Sequence, residues 1–216
     1  MTPAGIEAAA RRKYNAVSDN FYEDVFFYDL IYEAETLLAE EAEVIEKVYS
    51  TVSVVSQREY EWPTNAIAIR RLEYDGNKLK LITFRQDDAQ TISNAATTQT
   101  GTPDFYSLWN RTIYLRPIPG TAALTIKIYS YDMPSLQSTP TGVLDTPVHY
   151  HKDIVNFCVA FLAAKNQDMK TAELYLALWD RAVIKAKKWQ RKRVTADQFW
   201  MVQNVDTLPQ TCLGVT

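Results

Sequence analysis

An α+β chain is predicted by three observations. Apolar residues recur with a period of about 3.6 near both ends, they alternate with period two across residues 49–131, and turn formers punctuate that middle block. The expected architecture is a helical bundle of N-terminal helices plus a C-terminal helical hairpin, with an antiparallel β insertion and an extended C-terminal arm. The expected segments are N-terminal helices over 1–48, the β insertion over 49–131 and a linker over 132–147. The helical hairpin follows over 148–194, and an extended arm over 195–216.

The first helix is expected from Pro3 to Lys13, because proline suits a first helical turn. Ser18-Asp19-Asn20 offers an N-cap cluster for a longer helix from Phe21 to Val48. Its apolar stripe reads Phe26, Leu30, Leu37, Leu38, Ile45 and Val48. The opposite face is acidic, with Glu33, Glu35, Glu40, Glu41, Glu43 and Glu46. Acids at a helix C-terminus oppose the macrodipole, so they call for a basic neighbour or full solvation.

The β block follows. Arg58–Pro63, Ala66–Tyr74, Asp104–Trp109, Thr112–Pro117 and Ala123–Tyr131 combine β-branched and aromatic residues with alternation. Asp75-Gly76 supplies the positive φ angles of a tight hairpin, and Asn110-Arg111 forms a second turn. Pro117–Gly120 breaks the ladder again. Asp87-Asp88 reads as a turn or helix cap, and Thr91–Pro103 as a polar loop.

Past the linker, Ile154, Phe157, Cys158, Phe161 and Leu162 mark one buried helical face. Asn166-Gln167-Asp168 breaks it. A second helix runs from Met169 to Val194, with its stripe at Ala172, Tyr175, Leu176, Trp179, Val183, Ala186 and Trp189. The short break predicts an antiparallel hairpin. The end of that helix is basic, with Arg181, Lys185, Lys187, Lys188, Arg191, Lys192 and Arg193 and no acid among them. Three readings stand: a solvated face, pairing with the acidic helix of the same or a neighbouring subunit, or contact with nucleic-acid phosphates. The segment 195–216 has no clear period, yet it carries Phe199, Trp200, Met201, Val202 and Leu208, too apolar for a solvated tail.

The totals bound the function. The chain has 216 residues and a net charge of −3, so the whole molecule is no polyanion trap. Cys158 and Cys212 make no disulfide framework and fit a reducing compartment, with Cys158 expected as a small buried hydrophobe. No apolar run follows Arg11, Arg12 and Lys13 as in a secretory signal, and no stretch reaches the length of a membrane span. His149 and His151 are expected at the surface, because positions two apart on a helix face different ways and no ligand set surrounds them. No phosphate-binding loop, nucleophile elbow or zinc motif is present. Neither catalytic residues nor a cofactor or metal are therefore expected.

Several motifs together resemble the head–tail adaptor proteins of tailed bacteriophages. They are Gln57–Pro63, the strand ending Tyr74-Asp75-Gly76, Gly101–Tyr106, Ile113–Pro119, the strand ending Tyr129-Ser130-Tyr131, and the closing helical hairpin. The polar loop over 91–103 departs from the pattern. The resemblance implies a virion protein at the head–tail interface, made in the host cytoplasm. Such proteins form a homo-oligomeric ring, typically of twelve copies, beneath the portal protein. They extend the DNA channel and carry tail or nozzle proteins, and they have no catalytic residues. It further implies that the arm, through Phe199, Trp200, Met201, Val202 and Leu208, docks on the portal. The basic residues of the last helix would then line the channel or pair subunits, with no membrane and no sequence-specific DNA contact. A carbohydrate- or nucleic-acid-binding β module with helical flanks is the alternative, and an enzyme with an unrecognised site is a third.

Overall fold

The computed structural model describes residues 1–15, 23–93, 99–136 and 139–203. The chain divides into two compact units. One comprises Met1–Val44 and Ser135–Thr216, and the other Ile45–Pro134.

In the helical unit, α1 (Pro3–Lys13) begins where expected, with the Thr2 hydroxyl accepting from the Gly5 amide at 3.2 Å. The N-cap cluster at Ser18–Asn20 lies outside the described residues. Helix α2 runs Asp24–Ala42 and ends well before Val48. Glu43 takes the left-handed conformation (φ 49°), and its amide bonds back to the Ala39 carbonyl. This is the single-bond αL stop. Ile45 and Val48 therefore leave the expected stripe. The buried row is Phe27, Leu30, Ile31, Ala34, Leu38, Ala39 and Ala42, and it contains Glu35.

After a short 3₁₀ turn at Val148–Tyr150, α4 spans His151–Lys165 and is buried over most of its circumference, as its position between α1, α2 and the helix that follows it requires. Cys158 is fully buried, and burial pushes its thiol up to about 12. Asn166 caps α4, Gln167 adopts φ 61°, and the Asp168 carboxylate accepts the Thr171 amide at 3.3 Å. These three residues turn the chain into α5 (Met169–Gln203), which continues past the expected end at Val194. Its buried row is Ala172, Trp179, Ala182, Ala186 and Gln190; Leu176 and Trp189 sit outside it, at 39% and 42% exposure. The aromatic rings of Phe157 and Trp179 lie 4.9 Å apart, and those of Phe157 and Phe161 4.7 Å.

The β unit contains β1 (Glu46–Val52), β2 (Glu59–Glu61), β3 (Ala66–Tyr74), β4 (Asn77–Lys78), β5 (Lys80–Leu81), β6 (Thr100–Gly101), β7 (Phe105–Trp109), β8 (Thr112–Arg116), β9 (Ile118–Pro119) and β10 (Thr125–Asp132). One sheet has the order β1-β10-β3-β4, a second β2-β8-β7-β5, and β6 pairs with β9. The main pairings are antiparallel; β5–β7 and β6–β9 are parallel. Both predicted hairpin turns form, with positive φ at Asp75 and Gly76 and at Asn110 and Arg111. The core combines Ile69, Leu72, Tyr74, Ile126 and Ile128 of the first sheet with Tyr60, Tyr106, Ile113 and Leu115 of the second.

Strict alternation would place Ile67 and Ile69 on one face. Instead Ile69 is buried and Ile67 is 39% exposed. The β3–β10 register slips twice, so that Ser130 faces Ile69 while Tyr129 faces Arg71, and Asp132 faces Ala66 while Tyr131 faces Ala68. Arg70 and Ile67 are the extra residues, and each bulge resets which face the next side chain meets.

Asp87-Asp88, expected as a turn or helix cap, lies in α3 (Phe84–Ser93), with Asp87 in its first turn, and the helix also absorbs Thr91–Ser93 of the expected loop. Thr83 and Gln86 form a reciprocal capping box: the Gln86 amide donates to the Thr83 hydroxyl at 3.2 Å, and the Thr83 amide to the Gln86 side chain at 3.1 Å. Residues 94–98 of the loop lie outside the described residues, and Thr100–Gly101 forms β6.

Candidate interaction surface

The basic run of α5 divides by helical spacing. Lys187 and Arg191, four apart, share one side. Arg181, Lys185, Lys188 and Lys192 repeat at intervals of four, three and four, so they form one stripe. All four are exposed.

Lys187 and Arg191 line a cleft at the end of α2, together with Glu40, Glu41, Ala42, Glu43 and Gln190. Its volume is about 490 Å³. The Lys187 ammonium pairs with the Glu41 carboxylate. The acids that oppose the α2 macrodipole thus meet a basic neighbour in the same chain, which was one of the three readings of the charge run. Both partners are substantially exposed, so this pair contributes only about 0–1 kcal/mol. Gln190 is 95% buried by contrast, being 5% exposed; its amide nitrogen donates to the Glu43 carbonyl at 3.3 Å, and its Oε1 finds no donor. Arg193 stands apart from both groups, its guanidinium 4.8 Å from the Trp189 ring centre, and Trp189 meets His149 edge-on at 5.6 Å.

Phe199, Trp200, Met201 and Val202 lie on the last turns of α5, and Leu208 and Cys212 lie outside the described residues.

Two buried networks were not anticipated. In the helical unit, Glu35 is fully buried, and its Oε1 accepts the Thr146 amide at 3.0 Å and the Thr146 hydroxyl at 2.7 Å. The Thr146 carbonyl in turn meets His151 Nε2 at 3.0 Å. His151 is therefore buried, at 3% exposure, and not at the surface as expected. Its position in the first turn of α4 turns it inward onto the Thr146 carbonyl. Burial lowers its pKa, which favours the neutral ring. The sequence signal for Glu35 is its place in the i, i+4 row of Ile31 and Ala39, where an apolar residue belongs.

In the β unit, Asp87 is 1% exposed. Its carboxylate meets Arg58 at 2.5 Å, pairs with Arg116, and accepts the Ser107 hydroxyl at 2.9 Å. The signal for Asp87 was the Thr83-x-x-Gln86 capping box, which places it in the first turn of a helix. Gln190 carried a weaker one, since it extends the Ala182, Ala186 row by one more turn.

Burial raises the Glu35 pKa, its bonds to Thr146 oppose that, and nearby Asp145 adds to it. The folded chain then holds the Glu35 proton more tightly than the unfolded chain. Stability from this group is complete below the unfolded carboxyl pKa, about 4.3, and is lost as pH rises through the raised folded value. Glu35→Gln keeps an oxygen for Thr146 and removes the titration. Urea midpoints across pH 4–8 should fall for the wild type relative to Glu35→Gln as pH rises. Parallel pH profiles for the two proteins would contradict this account.

Among the described residues, no three His, Cys, Asp or Glu side chains gather as a metal set, and no helix is long and apolar enough to cross a membrane. The described surface thus carries charge on a helical face, and each unit holds one buried polar network serving its own core: Glu35 with Thr146 in the helical unit, and Asp87 with Arg58 and Arg116 in the β unit. The family model for the SU10 adaptor protein matches residues 1–205, and the chain belongs to this family of phage head–tail adaptors. The family is structural and not an enzyme class. No curated protein matches the chain.

Proposed function

We propose that the protein forms a ring, of about twelve copies as is typical of such adaptors, beneath the portal of a DNA-filled capsid. The ring extends the channel through which the genome passes, without base-specific contact, and its β unit offers tail or nozzle proteins a platform. Residues 195–216 act as a docking arm on the portal, through Phe199, Trp200, Met201, Val202 and Leu208. The observation that carries this reading is the family match over nearly the whole chain. The arm's composition supports it: five large apolar side chains, each worth about 1.5–3 kcal/mol when fully buried, call for a partner surface. Placement is then in the virion, at the head–tail interface, after synthesis in the host cytoplasm.

The test is negative-stain microscopy and a binding titration with the portal of the same phage. Full-length protein should appear as a ring stacked on the portal. Deleting 195–216 should leave a folded protein whose portal affinity falls by about a hundredfold or more, the loss of two or three buried anchors. Absence of any complex refutes the portal reading, and undiminished affinity of the truncated chain refutes the arm.

A further inference from the structure

The cleft at the end of α2 is incomplete in a single copy. Three carboxylates line it, those of Glu40, Glu41 and Glu43, against two cations, Lys187 and Arg191. The last carbonyls of α2 point the negative end of its macrodipole the same way. Gln190 adds a buried carbonyl oxygen with no donor, and its amide nitrogen is already engaged by the Glu43 carbonyl. A buried acceptor without a donor costs about 1–3 kcal/mol, so a cation with N–H groups to give is favoured there twice, by charge and by hydrogen bonding. The volume, about 490 Å³, takes a long side chain.

We propose that this cleft receives a basic side chain from the α5 stripe of a second copy, Arg181, Lys185, Lys188 or Lys192, and that each copy both gives and receives. The inference rests on the ring reading above and supplies its subunit contact. Charge complementarity selects the occupant: the stripe is four exposed cations without an intervening acid. Within one copy the stripe does not reach this cleft: the α5 cations that line it are Lys187 and Arg191, and none of the stripe residues is among its lining. Donor and acceptor on different sides of one chain make a head-to-tail contact, and such contacts close into rings when the rotation permits.

The test is a charge swap. Sedimentation velocity at low and high salt compares the wild type, a stripe variant (Lys188→Glu with Lys192→Glu), a cleft variant (Glu40→Arg with Glu41→Arg), and the two variants mixed. All four positions are exposed, so far-UV circular dichroism should show both variants folded. Wild-type self-association should be salt-sensitive, each variant should weaken it by about tenfold or more, and mixing should restore it. Gln190→Leu should weaken association without reversing any charge. A wild type with no self-association at low salt overturns the proposal, as does a mixture no stronger than its parts. Unchanged self-association with lost duplex-DNA binding in the stripe variant overturns it in favour of phosphate contact. Rings that still form on the portal in both variants would reject the cleft contact and leave the adaptor reading standing. A successful swap without portal binding would do the reverse.

Discussion

Asp87→Ala lowers the stability of the β unit by about 3 kcal/mol or more, toward the low end of the range for breaking a buried ion pair. The carboxylate is 1% exposed and sits against Arg58 and Arg116, whose side chains are 24% and 11% exposed. Removing it leaves two guanidinium groups facing each other with the Ser107 hydroxyl unpaired. Their partial exposure lets water recover some of the loss, which is why the upper end is not expected. The expectation has an internal control. Replacing all three charges together (Asp87→Leu, Arg58→Met, Arg116→Met) should restore most of the stability, since the cost lies in orphaned charge and not in lost attraction. Urea unfolding followed by amide exchange in β7 and β8 reads the effect locally. A loss under about 1 kcal/mol for Asp87→Ala would mean the arginines find other partners at no cost.

Trp179→Ala lowers the stability of the helical unit by about 3–5 kcal/mol, the range for removing a large buried aromatic side chain. Trp179 is 5% exposed and packs on Phe157 across the α4–α5 hairpin. Phe157 cannot collapse far into the space, because α4 is buried almost all round. Trp179→Phe keeps most of the ring contact and should cost less, about 1–2 kcal/mol. Thermal unfolding at 222 nm should show the alanine variant melting about 10 °C lower or more. A drop of only a degree or two would remove Trp179 from the centre of this core.

The sequence foresaw much of this architecture where local chemistry and tertiary packing agree. Pro3–Lys13, Ala66–Tyr74 and the two positive-φ turns at Asp75-Gly76 and Asn110-Arg111 are such places. It misled where a single residue decided against its neighbours. Glu43 stops α2 in a left-handed conformation that favours glycine, so nothing in the acidic run announced the end. The bulges at Ile67 and Arg70 undid an alternation that looked regular. The surface was half legible. The basic run was visible as a run, but its division into a cleft pair and an outward stripe depends on where α2 ends. Glu35 was read as part of an acidic face that is solvated or met by a basic neighbour, and Asp87 as a turn or helix cap, because composition cannot say which charge has found a buried partner.

The β unit enters and leaves the chain at one point. Glu46 of β1 pairs with Tyr131 of β10, and the Asp132 amide closes on the Ile45 carbonyl at 3.0 Å. For α1 and α2 to meet α4 and α5, a loop of about 90 residues must close. Left as coil, that closure would cost roughly 3 kcal/mol in chain entropy beyond a turn of about four residues. Here the pairing of β1 with β10 brings the two ends together, and that ordering is carried by the insertion's own core. To the helical unit the insertion is therefore equivalent to a short turn, whatever its length. Its loops and strands can lengthen or change identity without altering the entropy of the bundle that holds it.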